Sequence, residues 1–169
     1  MPTTKTLTIK QERNLQRAIE YILNPEKTKN QTLTSGHKLN AVNNAFFEMS
    51  LTRRLATNIK GQSNKKTTEE VLARHIIQSF DPADNLTPEE VHEIGRQTAL
   101  EFLGEDYEFV IATHVDKDHL HNHIIFNATS TVDLKKFRWQ KRTTADLRYI
   151  SDKVADYHGA SILQSAKRN

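Results

Sequence analysis

HVDKDHLHNHIIFN, residues 114–127, carries four of the chain's eight histidines. HNHIIFNAT, 121–129, reads as a strand, YEFVIATHV, 107–115, as the strand before it, and 115–120 as the loop of a hairpin. Alternate residues of a strand share a face. His121 and His123 therefore point one way, and Asn122, Ile124 and Phe126 point the other way, into a helical layer. On the first strand Val110, Ala112 and His114 share a face, opposite Tyr107, Phe109 and Ile111. The hairpin puts His114 across from His121 and diagonal to His123, with side chains starting about 5 Å and about 7–8 Å apart. Three neutral imidazoles at those separations suit one divalent ion with open coordination positions, the arrangement of a catalytic metal more than a structural one. His119 alternates with the same pair but falls in the loop. Asp116 is either a partner for an imidazole N–H or an exposed turn aspartate.

Composition narrows the classes. The 169 residues contain no cysteine, which excludes disulfides, thiolate metal sites and a cysteine nucleophile. No apolar run approaches the roughly 18 residues of a membrane span. MPTTKTLTIK has no apolar signal-peptide core, so a single cytoplasmic domain is expected. The net charge is only +3. Basic residues gather at Arg53–Arg54, at Lys65–Lys66 and along 135–142, where Arg138, Lys141 and Arg142 lie. These are the candidate contacts to nucleic acid, with Phe137 and Trp139 interleaved as stacking surfaces or as core.

Along the chain, TKTLTIK near the start reads as a strand, and 11–23 as an amphipathic helix stopped by Asn24-Pro25. A helix follows over 41–59 and a strand over 71–80. Residues 87–104 read as a helix with a Thr87/Glu90 capping box, Pro88 in its first turn and Gly104 at its end. The last helix spans 143–159. The expected fold is an α/β (α+β) sandwich, a sheet with helices packed on one face.

Tyr21 lies in the last turn before the proline break, roughly 120° around the helix from the Leu15/Ile19/Ile22 face. On the residues alone it is a rim tyrosine. His75 shares a strand face with Ile77 and Ser79, and either contacts a substrate phosphate, supports a nucleophile, or is a buried structural histidine.

The pattern His114-x-Asp116-x4-His121-x-His123 resembles motif III of the conjugative relaxases, plasmid mobilisation nickases of the HUH endonuclease superfamily. AIEYILNPEKT (18–28) is similar to that family's tyrosine segment, and HIIQSF (75–80) to its second motif. The resemblance implies a central antiparallel sheet with flanking helices, and the N-terminal catalytic domain of a longer, monomeric protein. It implies metal-dependent nicking of one DNA strand at a transfer origin, leaving a 5′-phosphotyrosine link and a free 3′-OH. It makes Tyr21 the nucleophile, with His75 and Asp116 as supporting groups, and His114, His121 and His123 the ligands of Mg²⁺ or Mn²⁺, with Zn²⁺ an alternative. The base that takes the phenolic proton stays open among Asp116, His75 and water. The implied partners are single-stranded origin DNA, accessory relaxosome proteins and a type IV secretion coupling protein. The implied location is the bacterial cytoplasm, with passage into a recipient cell alongside the DNA. Two rivals remain: a metal phosphodiesterase using water, and a non-catalytic DNA-binding module with a structural metal.

Overall fold

The computed structural model describes residues 2–60 and 70–159. Five strands form one antiparallel sheet: β1 (Thr3–Ile9), β2 (Thr34–His37), β3 (Ala73–Ser79), β4 (Phe109–His114) and β5 (His121–Asn127). Their order is β1-β3-β5-β4-β2, so the histidine hairpin occupies the middle. Four helices accompany them: α1 (Glu12–Ile22), α2 (Ala45–Lys60), α3 (Pro88–Leu103) and α4 (Thr143–Tyr157). Among the described residues no helix is long and apolar enough to cross a membrane.

Helices cover both sheet faces, not one. Val110, Ala112 and Ile125 pack against Leu15, Ile19, Ile22 and Met49 of α1 and α2. Phe109, Ile111, Ile124 and Phe126 pack against Ala99 and Leu103 of α3 and Leu147 of α4. The physical reason is visible in FVIA and IIF, which are apolar at consecutive positions; a strand buried on both faces needs no alternation. The capping box of α3 forms as expected, with Glu90 N–H donating to Thr87 Oγ1 (3.1 Å) and Thr87 N–H to the Glu90 carboxylate (3.0 Å). β2 was not expected. Its four residues, TSGH, carry no apolar period, and β4 alone pairs with them at the sheet edge.

A buried polar network lies behind the histidines. Asn122 sits between His121 and His123 with its side chain turned toward α3. Its Nδ2 donates to Gln78 Oε1 (2.9 Å) and to the Val91 carbonyl (2.7 Å), and its Oδ1 accepts from Thr113 Oγ1 (2.6 Å). Gln78 continues to Ser151 on α4 (2.8 Å), and His92 joins Thr113 (2.9 Å) to Ser35 (2.8 Å). Gly95 lets α3 come this close, because a Cβ there would lie 2.4 Å from Asn122 Nδ2 and 2.5 Å from Ile111 Cδ1.

Gly95→Ala is expected to destabilise the domain by about 1–3 kcal/mol through overpacking, although alanine favours a helix by about 1 kcal/mol. Urea denaturation checks this; an unchanged or raised midpoint would show that the Asn122 contact is slack.

Candidate active site

The β4–β5 ladder pairs His114 with His121 and Ala112 with His123, and β3 sets Ile77 beside His123 and Ser79 beside His121. The three expected histidines therefore share one face, with His123 diagonal to His114. The His114 and His123 rings are 4.2 Å apart, and those of His121 and His123 6.4 Å. His75, on β3, joins them, with its Nε2 2.9 Å from His123 Nδ1.

α1 delivers Tyr21 to this cluster. Leu15, Ile19 and Ile22 bury one side of the helix, and Tyr21, half exposed, projects beside it. Its ring meets His114 and His123 edge-on, with centroids 5.6 and 6.0 Å away. The helix end and the hairpin are also bonded directly, since His114 Nε2–H donates to the Ile22 carbonyl at 3.0 Å. Carbonyls at a helix C-terminus lack intrahelical partners and carry partial negative charge, so an imidazole N–H is a suitable cap.

Burial keeps these imidazoles neutral. It is the leading cause that lowers the pKa of His75 to about 4 and of His123 to about 2, with His114 adding its charge against both. Burial also lowers His114 and His121. Neutral rings are what a metal requires. One nitrogen is anchored in each of two candidate ligands: His114 on the Ile22 carbonyl and His123 on His75. With His123 donating, each keeps its other nitrogen for a ligand, the pattern by which outer partners orient metal-binding histidines. The donor set thus fits a divalent ion in its chemistry. Among the described residues, however, no three His, Asp or Glu side chains are already drawn together at coordinating distance. His119 turns away, its Nδ1 3.3 Å from the Phe80 carbonyl.

Asp116 makes its hydrogen bond with Lys27, not with an imidazole, at 2.8 Å. That contact lowers the Asp116 pKa, which makes it a weak proton acceptor. Lys27 lies inside the tyrosine segment AIEYILNPEKT, where the sequence assigns it no role of its own. Its backbone carbonyl accepts the Val115 N–H (2.8 Å), and its ammonium lies 5.4 Å from the centre of the Tyr21 ring. The loop that carries it is strained: Lys29, Asn30 and Gln31 have φ of 50°, 57° and 66°. Left-handed backbone costs non-glycine residues roughly 1–2 kcal/mol each. The fully buried Thr28 offsets this, donating to the Asn24 carbonyl (3.0 Å) and accepting the Gln31 N–H (3.1 Å). Gln31 Nε2 caps α1 by donating to the Leu23 carbonyl (2.9 Å).

The basic candidates separate. Arg53 is buried, with its guanidinium 2.7 and 2.8 Å from the Glu12 carboxylate and 3.4 Å from Asn127 Oδ1. Asn127 lies four residues along β5 from His123, about 13 Å at strand rise. Arg53 is thus a structural pillar and not a free phosphate contact, a difference that arises because α2 turns it inward onto an acidic partner. Arg54, Arg138, Lys141 and Arg142 are exposed. Segment 135–142 runs past the far end of β5, where Phe137 N–H donates to the Ala128 carbonyl (2.7 Å). Phe137 and Trp139 pack with Phe102 on the sheet face opposite the histidines, so they are core and not stacking platforms. Lys65 and Lys66 lie outside the described residues.

Comparison with known proteins fits this geometry. The family described as relaxase, MobA/VirD2-like, nuclease domain, matches residues 21–160. The group II intron-interrupted relaxase LtrB of Lactococcus lactis subsp. cremoris is 42% identical over 94% of this chain and 33% of its own length. A protein rlx of Staphylococcus aureus is 36% identical over 52% of this chain and 26% of its own. The chain thus spans about a third or less of these curated relatives' length. A solved structure described as "Molecular Basis of Vancomycin Resistance Transfer in Staphylococcus aureus" shares the fold, with a TM-score of 0.58 over 95% of each chain at 12% identity. The family match and the LtrB identity across nearly the whole chain make it a member of the MobA/VirD2-like relaxases, built as their nuclease domain.

Proposed function

We propose that this domain nicks one DNA strand at the transfer origin of a mobile element by transesterification through Tyr21. The observation that carries the reading is the edge-on approach of Tyr21 to His114 and His123, on a helix whose end His114 itself caps. In this reading the Tyr21 oxygen attacks phosphorus, the bond to the 3′ oxygen breaks, and the proton lost by the phenol is made up on the departing 3′-OH. The strand is then held as a 5′-phosphotyrosine ester whose bond energy allows later rejoining.

Relaxases of this family work with a divalent metal ion, and we assign its ligands here to His114, His121 and His123, with Mg²⁺ or Mn²⁺ as the ion. When bound, it supplies Lewis-acid charge at the phosphate oxygens, where negative charge builds in the transition state. The remaining work falls to the chain. His75 and the Ile22 carbonyl fix two of the ligand rings. Tyrosine has an ordinary pKa of about 10 and is a poor nucleophile at neutral pH. Asp116 holds the Lys27 ammonium beside the Tyr21 ring, so a positive charge faces the phenolate as it forms. The ammonium lies 5.4 Å from the ring centre, and its attraction is modest because the pair is open to solvent.

The one-third coverage of LtrB supports a catalytic unit within a longer protein. Passage through a type IV secretion channel, the coupling protein and the accessory relaxosome proteins belong to that whole protein in our proposal, as does a cytoplasmic location. We assign exposed Arg54, Arg138, Lys141 and Arg142, with Lys65 and Lys66, to DNA outside the cutting site.

Single-stranded oligonucleotides tiling the element's origin, mixed with the domain and Mn²⁺ and run on a denaturing protein gel, should give a covalent adduct. The adduct should vanish with EDTA and with Tyr21→Phe, while Tyr21→Phe keeps its DNA affinity. Cut DNA without any adduct would instead assign the chemistry to water.

Lys27→Met should slow adduct formation by about twofold to fivefold, with Mn²⁺ affinity in titration calorimetry unchanged. Lys27→Arg should recover most of the rate. A loss of Mn²⁺ affinity in Lys27→Met would show that the residue supports the histidine hairpin instead of the tyrosine.

A further inference from the structure

On the far side of α1 from the histidines, a cavity of about 420 Å³ opens between the end of that helix and the start of α2. We propose that it is a nucleobase pocket, taking one flipped-out base of the DNA strand close to the cut; this rests on the DNA-nicking reading above.

The lining decides the ligand class. No lysine or arginine is among the lining residues, and Glu20 stands at the rim, so the pocket repels a phosphate. Its polar groups are side-chain amides. Asn43 and Gln31 form a reciprocal pair, with Gln31 Nε2 donating to Asn43 Oδ1 (3.0 Å) and Asn43 Nδ2 to Gln31 Oε1 (3.2 Å). That pairing leaves Asn43 one N–H and one lone pair. Gln16 and Asn44 hold no side-chain partner among the described residues. Phe47, 60% exposed, supplies a bare aromatic face at the edge. Neutral donors and acceptors around an aromatic surface match a flat heterocycle with hydrogen-bonding edges, and the Glu20 carboxylate suits an exocyclic amino group such as those of cytosine or adenine.

The position ties the pocket to the reaction. Glu20 is the residue before Tyr21, and the backbone N–H of Asn24, another lining residue, donates to the Tyr21 carbonyl (3.3 Å). Gln31 both shapes the pocket and caps the last turn of α1 through Leu23. It does so from the third of three consecutive left-handed residues, a backbone course that no local glycine explains. A base seated here would anchor the strand one helix width, about 10 Å, from the nucleophile's side of α1.

The test needs neither the origin sequence nor cleavage. Fluorescein-labelled dA20, dC20 and a 20-unit abasic deoxyribose-phosphate strand are titrated with the domain in EDTA at fixed salt, followed by anisotropy. The intact domain should bind a base-bearing strand more tightly than the abasic one. Phe47→Ala should weaken the base-bearing strand at least fivefold, leave the abasic strand unchanged, and be rescued by Phe47→Trp. Gln16→Ala, on an exposed helix position, should lower the same preference in a second variant. Equal effects on both strands, no effect, or no preference for bases in the intact domain would each overturn the pocket. The adduct assay with Tyr21→Phe judges the nicking reading separately, so either can fail while the other stands.

Discussion

A slip of one residue in the β4–β5 ladder would turn His121 and His123 toward α3 and present Asn122 to Tyr21. The register therefore needs a lock, and the lock is on the other side of the sheet. Asn122 fills both amide hydrogens and its carbonyl oxygen with partners on β3, α3 and β4. A slipped strand would bury that amide against the wrong neighbours, at about 1–3 kcal/mol for each unsatisfied group. Gly95 makes the lock tighter by letting the α3 backbone approach the amide where any side chain would collide. Polarity hidden behind the site thus specifies which residues face its front, a role that an all-apolar core with several acceptable registers does not perform.

The second constraint joins the tyrosine helix to the hairpin. Three bonds cross between them: His114 to the Ile22 carbonyl, Val115 N–H to the Lys27 carbonyl, and Lys27 to Asp116. The second is backbone to backbone and the first needs only the His114 side chain, so the helix end follows the hairpin as one body. The left-handed run Lys29–Gln31 then turns the chain from Lys27 into β2. Strain stored next to reacting groups is common, and here Thr28 and Gln31 supply the local hydrogen bonds that hold it.

Much of this was readable from residue order. Strand alternation placed His114, His121 and His123 on one face, the wheel put Tyr21 at the rim, and Thr87, Pro88 and Glu90 marked the start of α3. Those signals are local, each spanning a few residues. What escaped is non-local. β2 has no apolar period because it pairs with β4 on one side only. The consecutive apolar residues of FVIA and IIF signal burial on both faces, but which helices supply the second layer is decided by contacts distant in sequence. Arg53 looked like a phosphate contact until Glu12, 41 positions away, proved to be its partner. Asp116 reads as either a histidine partner or an exposed turn aspartate, and Lys27, 89 positions away, is its partner instead.

Those ion pairs change what the net charge means. Besides Lys27 and Arg53, Lys29 pairs with Glu89, Arg96 with Glu93, Lys136 with Glu70 and Lys153 with Glu101. Among the described residues six of the chain's 24 lysines and arginines are committed in this way. At a net charge of only +3 the non-specific attraction for the DNA backbone is modest and rests on exposed cations such as Arg54, Arg138, Lys141 and Arg142. A nuclease that released its product into solution would need affinity from somewhere else. Under the proposed chemistry the ester to Tyr21 retains the cut strand regardless of salt, so reversible backbone contacts have only to deliver the strand. Discrimination then rests on groups that read bases, and amides beside α1 serve that purpose better than further lysines would.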